Sequence, residues 1–298
     1  MKKHLLVIAF MAATLSAFAQ MNMRWGNTDV RYPMNSNELL EDKAVTQVVA
    51  WRGERVNLQL VVANGEKECT VEYRFSDLKN GRKIIPASNV VGGFVQPVIT
   101  DKFTGCGKHA VDAHGEVLVA DRITDTNPTV LDAGSCRGLW LTIQVPQDAE
   151  SGTYKGYVEL ICNGKKSKYK YTVSVLKYVL PTPKEWSFHL DLWQNPYAVA
   201  RVHNVELWSK EHFDVLRPYM LKLASAGQKA ITATLIDRPW DGQTYDPFGS
   251  MVTWVKKADG TWWYDFTIFD RWVEFMMECG IDKEITCFSM IPWKLSFR

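Results

Sequence analysis

The chain has 298 residues, with 35 Lys and Arg against 33 Asp and Glu, so its net charge at pH 7 is +2. This length accommodates about two domains of ordinary size. The balanced charge lacks the basic stripe of nucleic-acid-binding proteins, so we expect no nucleic-acid partner. No phosphate-binding, dinucleotide-binding or metal-ligand motif occurs with the right spacing and context, so we expect neither a cofactor nor a metal.

The first 19 residues have the pattern of an export signal. Lys2 and Lys3 form a basic start, residues 5–15 are apolar, and Ala17-Phe18-Ala19 is a small-residue cleavage site. The apolar run is shorter than the roughly 20 residues that a membrane-spanning helix needs. We therefore expect a signal peptide over 1–19 and an exported protein, periplasmic or secreted, without a membrane span.

The six cysteines include no CxxC pair. Disulfides are possible in an exported protein. Cys106 and Cys136 lie in Gly-rich loops and are the better candidates for a bridge. Cys279 and Cys287 lie in apolar helix and strand contexts, and we expect both to be buried thiols.

Residues 20–180 have the alternation that is typical of β-strands. Apolar side chains recur at every second position in 56–62 and in 139–145. Asn163-Gly164 joins two further alternating runs and is a strong signal for a tight hairpin. Short strands separated by turns predict an immunoglobulin-like β-sandwich. We expect Trp51 and Trp140 to lie in its core.

Residues 181–185 form a Pro-rich linker to a second domain, 186–298. Its two prolines cannot join a central strand, and nine of the twelve tryptophans lie at or after Trp186. The patterns predict strands over 187–192, 230–236 and 284–290, helices over 209–226 and 267–279, and a hairpin inserted before the second helix. This order predicts the first three strands of an incomplete (β/α)8 TIM barrel, which takes about 250 residues to close. We therefore expect the chain to be a fragment of a longer protein.

Polar and aromatic side chains follow the first two predicted strands of this domain. Because barrel chemistry is placed at the C-terminal ends of strands, we predict a sugar-binding surface there. Amides and acids hydrogen-bond hydroxyls, and aromatic rings stack on a pyranose face. The candidate substrate-binding residues are Asp191, Trp193, Gln194, Asn195, Tyr197, Asp237, Trp240, Tyr245 and Trp293. Trp193 is equally consistent with a place in the core. For Asp191 the alternative is a structural strand end, and its position favours the functional role.

Several motifs of the second domain resemble glycoside hydrolase family 123. They are DLWQNPY at 191–197, LRPYM at 216–220, ATLI at 233–236, QTYDP at 243–247, FDRWVEF at 269–275, GID at 280–282 and SMIPW at 289–293. The β-rich segment before them resembles the N-terminal sandwich domain of that family. The resemblance covers nearly the whole chain after residue 19.

The resemblance implies a β-N-acetylgalactosaminidase that acts on glycans with terminal N-acetylgalactosamine. It also implies substrate-assisted retention, in which the 2-acetamido oxygen of the substrate attacks the anomeric carbon. An Asp orients the acetamido group, and the Glu directly after it acts as general acid and base. Glu41-Asp42 has the reverse order, and no Asp-Glu dipeptide occurs in the sequence. We therefore expect no catalytic residue and no glycosidase activity in this chain itself, with the pair encoded after residue 298.

Two other interpretations remain open at this point. The first is a barrel glycosidase with another sugar specificity, which would carry its carboxylates on separate strands. The second is a non-catalytic carbohydrate-binding surface protein that uses the β-rich domain and the aromatic loops.

Overall fold

The computed structural model describes residues 22–34, 42–65, 67–101, 116–241, 244–288 and 291–295. The predicted signal peptide, Cys106 and Gln243 lie outside the described residues. The chain divides into two compact units, Met1–Leu180 and Pro181–Arg298. Each unit is described by itself.

The first unit contains two β-sheets in its described part. The first sheet has the strand order β1-β3-β10-β7-β8 and is antiparallel throughout. Its strands are β1 Asn22–Trp25, β3 Arg55–Ala63, β7 Val90–Asp101, β8 Glu116–Thr124 and β10 Cys136–Gln144. The second sheet has the order β2-β12-β11-β4-β9, with β5 paired to β11 and β6 paired to β5. Its strands are β2 Gln47–Arg52, β4 Cys69–Phe75, β5 Leu78–Asn80, β6 Lys83–Ile85, β9 Thr129–Leu131, β11 Gly152–Cys162 and β12 Lys165–Val179.

One hydrophobic core joins the two sheets. Leu58 and Leu141 of the first sheet and Tyr154 and Val173 of the second are buried in the same cluster. The alternation along β10 places Leu139, Leu141 and Ile143 inside, so the residues between them face outward. The hairpin predicted at Asn163-Gly164 joins β11 to β12, and Asn163 takes the positive φ of 48° that such a turn requires.

Two expectations about single residues of this unit are wrong. Trp51 is 42% exposed and packs on Tyr178, with 5.5 Å between ring centroids. Trp140 lies on the outward-facing side of β10 and is outside the core cluster. Both tryptophans lie on the outward-facing side of a strand. The prediction was wrong because it placed them in the core on the apolar character of their side chains alone.

The second unit is built from three helices and two small sheets in its described part. The elements are α1 Pro196–His203, α2 Lys210–Ser225, β13 Ala230–Thr234, β14 Thr253–Lys256, β15 Trp262–Asp265, α3 Thr267–Glu278 and β16 Glu284–Phe288. β13 pairs with β16 in parallel, and β14 pairs with β15 as an antiparallel hairpin. Leu216, Trp272 and Met276 belong to the buried cluster that joins α2, α3 and β13.

The predicted incomplete (β/α)8 TIM barrel is wrong. The described chain is mostly β-sheet with three α-helices, and the parallel strands of its second unit form a sheet of two strands rather than a run of three. The predicted strand 187–192 contributes a single bridge, between Leu190 and Gln228. Beyond that bridge, side-chain amides replace the backbone ladder. Gln228 donates to the carbonyl of Leu192 at 3.1 Å and accepts its N–H at 3.0 Å.

The cysteines are distributed differently from expectation. Cys279 is buried as predicted, whereas Cys287 on β16 is exposed. Cys136 is buried as a free thiol, and its proposed partner Cys106 lies outside the described residues.

Candidate functional site

The candidate site lies where the parallel strands β13 and β16 end. Phe288 is the last residue of β16, and Trp240 lies in the segment after β13. Trp193 stacks on Trp240, with 4.8 Å between ring centroids and 25° between planes, and contacts Phe288 at 4.6 Å. Trp240 is buried, whereas Trp193 is 49% exposed. A buried indole and a phenyl ring therefore hold one half-exposed indole in place.

Trp293 lies beside the segment that carries Trp240. Its backbone N–H donates to the carbonyl of Pro239 at 3.0 Å, and its side chain is 59% exposed. The next residue, Lys294, forms an ion pair with Asp241 at 2.7 Å. The structure therefore brings together three of the predicted aromatic residues, Trp193, Trp240 and Trp293.

Two of the candidate carboxylates lie close in sequence to these rings. One oxygen of Asp191, Oδ1, is buried and has no hydrogen-bond partner within the described ranges. A buried acceptor without a donor costs about 1–3 kcal/mol, so a ligand donor would relieve that cost. Asp237 is exposed, and one of its oxygens lies 3.7 Å from the guanidinium of Arg238.

Gln194, Asn195 and Tyr197 use their polar atoms within the fold. Gln194 is 3% exposed, and its Oε1 accepts the N–H of Thr232 at 2.7 Å. Asn195 caps α1 by accepting the N–H of Ala198 at 3.2 Å. The hydroxyl of Tyr197 donates to the carbonyl of Gly249 at 2.7 Å, and burial raises the pKa of this phenol to about 12.

Tyr245 presents an exposed ring on the loop after β13. Its side chain is 86% exposed, and the guanidinium of Arg201 lies 4.7 Å from its ring centroid. Arg201 also donates three hydrogen bonds to the carboxylate of Asp246, from Nε to Oδ1 at 2.7 Å and to Oδ2 at 3.0 Å, and from Nη2 to Oδ2 at 2.9 Å. A bidentate pair of this kind fixes a guanidinium well, so the ring has a rigid cationic support.

Sequence reasoning missed Phe288, Arg201 and helix α1. Phe288 ends a predicted strand, so its strand-end position could have identified it. Asn195 followed by Pro196 is a helix-start signal, with a cap residue and proline at the first helical position. The contact of Arg201 with Asp246 spans 45 residues and has no local signal.

The described residues contain neither a metal-type cluster nor a helix suited to a membrane. No cluster of His, Cys, Asp and Glu in the part of the chain that the structure describes has the arrangement of a metal site. None of the described helices has both the length and the apolarity needed to cross a membrane.

Two protein-family models match most of the chain. The model of the glycoside hydrolase 123 catalytic domain matches residues 193–298, and the model of the glycoside hydrolase 123 N-terminal domain matches residues 25–161. The chain belongs to glycoside hydrolase family 123. This confirms the family that the sequence motifs suggested, and the aromatic site lies largely within the stretch that matches the catalytic domain.

One solved structure supports the family assignment at the level of fold. The chain is similar to a family 123 glycoside hydrolase from Clostridium perfringens, whose structural analysis concerns glycolipid glycan hydrolysis, with a TM-score of 0.83 and 24% identity. The match covers 92% of this chain and 48% of that one, so this chain spans about half the length of that relative. A PapD-like domain of human CEP192 matches with a TM-score of 0.26 and 10% identity, covering 60% of this chain and 100% of that domain. No curated protein matches the chain.

Proposed function

We propose that this chain is the sugar-contacting part of a glycoside hydrolase that releases terminal β-linked N-acetylgalactosamine from glycans. Membership of glycoside hydrolase family 123 supports glycoside hydrolysis. The observation that carries the proposal is the half-exposed Trp193, held on Trp240 and Phe288 at the end of the parallel strands. Such a fixed ring offers an apolar surface of about the size of one sugar ring.

The residues of the site have distinct proposed roles. Trp193 packs on the apolar face of the pyranose, and Trp293 contacts the same sugar from the neighbouring segment. The unpartnered oxygen of Asp191 accepts a hydroxyl or amide N–H of the sugar, because a buried acceptor gains most from a donor. Gln194, Asn195 and Tyr197 position this surface through bonds to the backbone.

The proposed reaction divides between substrate and protein. The acetamido oxygen of the sugar attacks its anomeric carbon, and the glycosidic oxygen leaves with a proton from a general acid. Water then opens the oxazolinium ring and gives its proton to the same group. The resemblance assigns the protein's part to an adjacent Asp-Glu pair, which this sequence does not contain. The proposed role of these 298 residues is therefore to bind and orient the sugar.

Binding of methyl N-acetyl-β-galactosaminide to the full chain tests the role of Trp193. We expect Trp193→Ala to raise the dissociation constant about tenfold or more, because it removes a stacking surface. Trp263→Ala is the matched control, since Trp263 lies on the hairpin strand β15 and is 48% exposed. Isothermal titration measures both. Equal affinities for the wild type and Trp193→Ala would contradict the proposed site.

Separate experiments test the sugar specificity and the expected absence of acid catalysis in this chain. Tighter binding of the acetamido sugar than of methyl β-galactoside supports the proposed substrate, whereas equal binding favours another specificity. The chain alone should release no nitrophenol from 4-nitrophenyl N-acetyl-β-galactosaminide. Measurable release that Trp193→Ala reduces would contradict the assignment of acid catalysis to the Asp-Glu pair.

We propose further that the protein is exported. The basic start, the apolar run of 5–15 and the Ala17-Phe18-Ala19 site support this. Expression with the natural N-terminus should give a mature chain that begins at Gln20, outside the cytoplasm. N-terminal sequencing of the fractionated protein checks this, and an intact Met1 in every fraction would contradict it.

A further inference from the structure

A pocket of about 240 Å³ opens on the outer face of the first sheet, away from the core of the first unit. Its lining includes Tyr32, Gln59, Trp140 and Ile123. Gly138 lies next to Trp140 on β10, and a Cβ at this position would lie 2.8 Å from Oε1 of Gln59. The absence of a side chain at Gly138 therefore keeps part of the pocket open.

Trp140 is held in one orientation inside this pocket. Its indole N–H donates to Oδ1 of Asn57 at 3.2 Å, and the same oxygen accepts the hydroxyl of Thr142 at 2.9 Å. Gln59 also lines the pocket and is fixed by its side-chain amide, which donates to the carbonyls of Asn27 and Val30 at 3.2 Å each. A fixed aromatic ring beside buried amide groups is a preorganised binding surface, which reduces the entropy cost of binding.

The charges at the rim select the class of ligand. Arg31 and Asp121 both line the pocket and are exposed. Within the described ranges, neither takes part in an ion pair. One positive and one negative group together disfavour both an anion and a cation, while a guanidinium donates and a carboxylate accepts hydrogen bonds. A neutral ligand with many hydroxyls satisfies both groups.

The volume restricts the size of that ligand. Pockets for drug-sized molecules have volumes of about 300–1,000 Å³, so a pocket of about 240 Å³ suits a smaller molecule. A single pyranose ring combines this size with an apolar face for Trp140 and hydroxyls for Arg31 and Asp121. We propose that the first unit binds one neutral hexopyranose residue of a glycan at Trp140, separately from the Trp193 site.

The site would give the protein a second hold on a glycan. The proposal goes beyond the hydrolytic function and depends only on residues of the first unit. It also explains why a large aromatic side chain is kept on the outward-facing side of a strand, where its indole N–H requires Asn57 as a partner.

The test uses the full chain carrying Trp193→Ala, so that the site of the second unit is weakened first. The probes are methyl β-galactoside, methyl β-glucoside and methyl N-acetyl-β-galactosaminide, observed by saturation-transfer difference NMR. We expect transfer to the ring protons of at least one probe. Adding Trp140→Ala should abolish it, and adding Trp51→Ala, at an exposed tryptophan outside the pocket, should leave it unchanged.

A second variant keeps the test decisive if Trp140→Ala impairs folding. Asp121 is exposed, so Asp121→Asn should leave the fold intact while raising the dissociation constant about tenfold through the loss of a charged acceptor. No transfer to any probe, or equal transfer with and without Trp140 and Asp121, would overturn the proposal. If Trp193→Ala does not weaken binding in the wild-type background, that result contradicts the proposed Trp193 site and not the Trp140 site.

Discussion

His212 is a buried residue of the second unit whose pKa the fold shifts. It is fully buried. Its Nδ1 accepts the backbone N–H of Trp208 at 3.1 Å, and its Nε2 lies 2.9 Å from the carbonyl oxygen of Pro196. A backbone N–H can only donate, so Nδ1 carries no proton and Nε2 is the donor. Burial lowers the pKa of this imidazole from its ordinary value, with the Pro196 carbonyl opposing that shift.

This lowered pKa predicts a loss of stability in mild acid. Below about pH 6.5 the unfolded imidazole binds a proton that the folded one resists. The contribution of His212 is therefore complete above about pH 6.5 and falls as the pH drops toward its folded-state pKa. Urea unfolding at a series of pH values between about 7.5 and 5 should show a decreasing free energy of unfolding.

The variant His212→Gln identifies the group responsible. Glutamine keeps a donor toward Pro196 but does not titrate, so we expect lower stability at neutral pH and a shallower dependence on pH. His203→Gln is the control, because His203 is exposed and contacts the hydroxyl of Tyr219. If His212→Gln retains the full wild-type pH dependence, the assignment to this imidazole is wrong.

At the scale of elements, the sequence patterns predicted the helices and the hairpin that local interactions stabilise. The helices predicted over 209–226 and 267–279 are observed as Lys210–Ser225 and Thr267–Glu278. The Asn163-Gly164 hairpin was predicted because a two-residue turn fixes its own register. The strand over 187–192 was not formed as predicted, because pairing depends on how closely a distant segment approaches. Tertiary packing sets the distance between the two segments, and a local sequence pattern does not encode that distance.

The candidate site shows the same division. Trp193, Trp240 and Trp293 were predicted from their positions after strands, and the structure brings them together. Gln194 and Asn195 carried an equally good local signal. The sequence could not show that Gln194 bonds to Thr232, because that bond depends on the path of the backbone. The bond of Asn195 to Ala198 belongs to the local helix-start signal at Asn195-Pro196, which the prediction overlooked.

Substitution of Gln228 tests how much the side-chain amide bonds that replace a strand ladder contribute to stability. Its side chain bonds to the N–H and carbonyl of Leu192 and to the carbonyl of Ala230. Gln228→Leu should lower the free energy of unfolding by about 1 kcal/mol, because the N–H of Leu192 loses its acceptor while the two carbonyls keep Gln194 as a donor. Hydrogen exchange at the Leu192 amide should accelerate as well.

The matched control for this prediction is Gln47→Leu. Gln47 is exposed on β2, so its replacement should change the free energy of unfolding by no more than about 0.5 kcal/mol. Equal effects of the two substitutions in urea unfolding would mean that the bonds to Leu192 add little to stability.

At the scale of the whole molecule, the segment that joins the units is anchored to the second one. It was predicted as a Pro-rich linker over 181–185, and it contains a 3₁₀ turn at Pro183–Glu185. Lys229, which is 8% exposed, donates to the carbonyls of Pro183 and Lys184 at 3.0 and 3.2 Å. The side chain of Lys184 pairs with Asp282 at 2.7 Å. The segment is therefore held by side chains from two distant parts of the second unit.

This anchoring predicts resistance to trypsin at the bond after Lys184. A protease needs local opening of the backbone before it can cleave, and here opening breaks the Lys229 bonds and frees Lys184 from Asp282. Lys229→Met keeps the aliphatic stem but removes the donors, so cleavage after Lys184 should become faster; mass spectrometry of timed digests identifies the site. Lys222→Met, at an exposed position on α2, should leave the rate unchanged. Equal rates of cleavage after Lys184 in all three proteins would show that the bonds of Lys229 do not hold this segment.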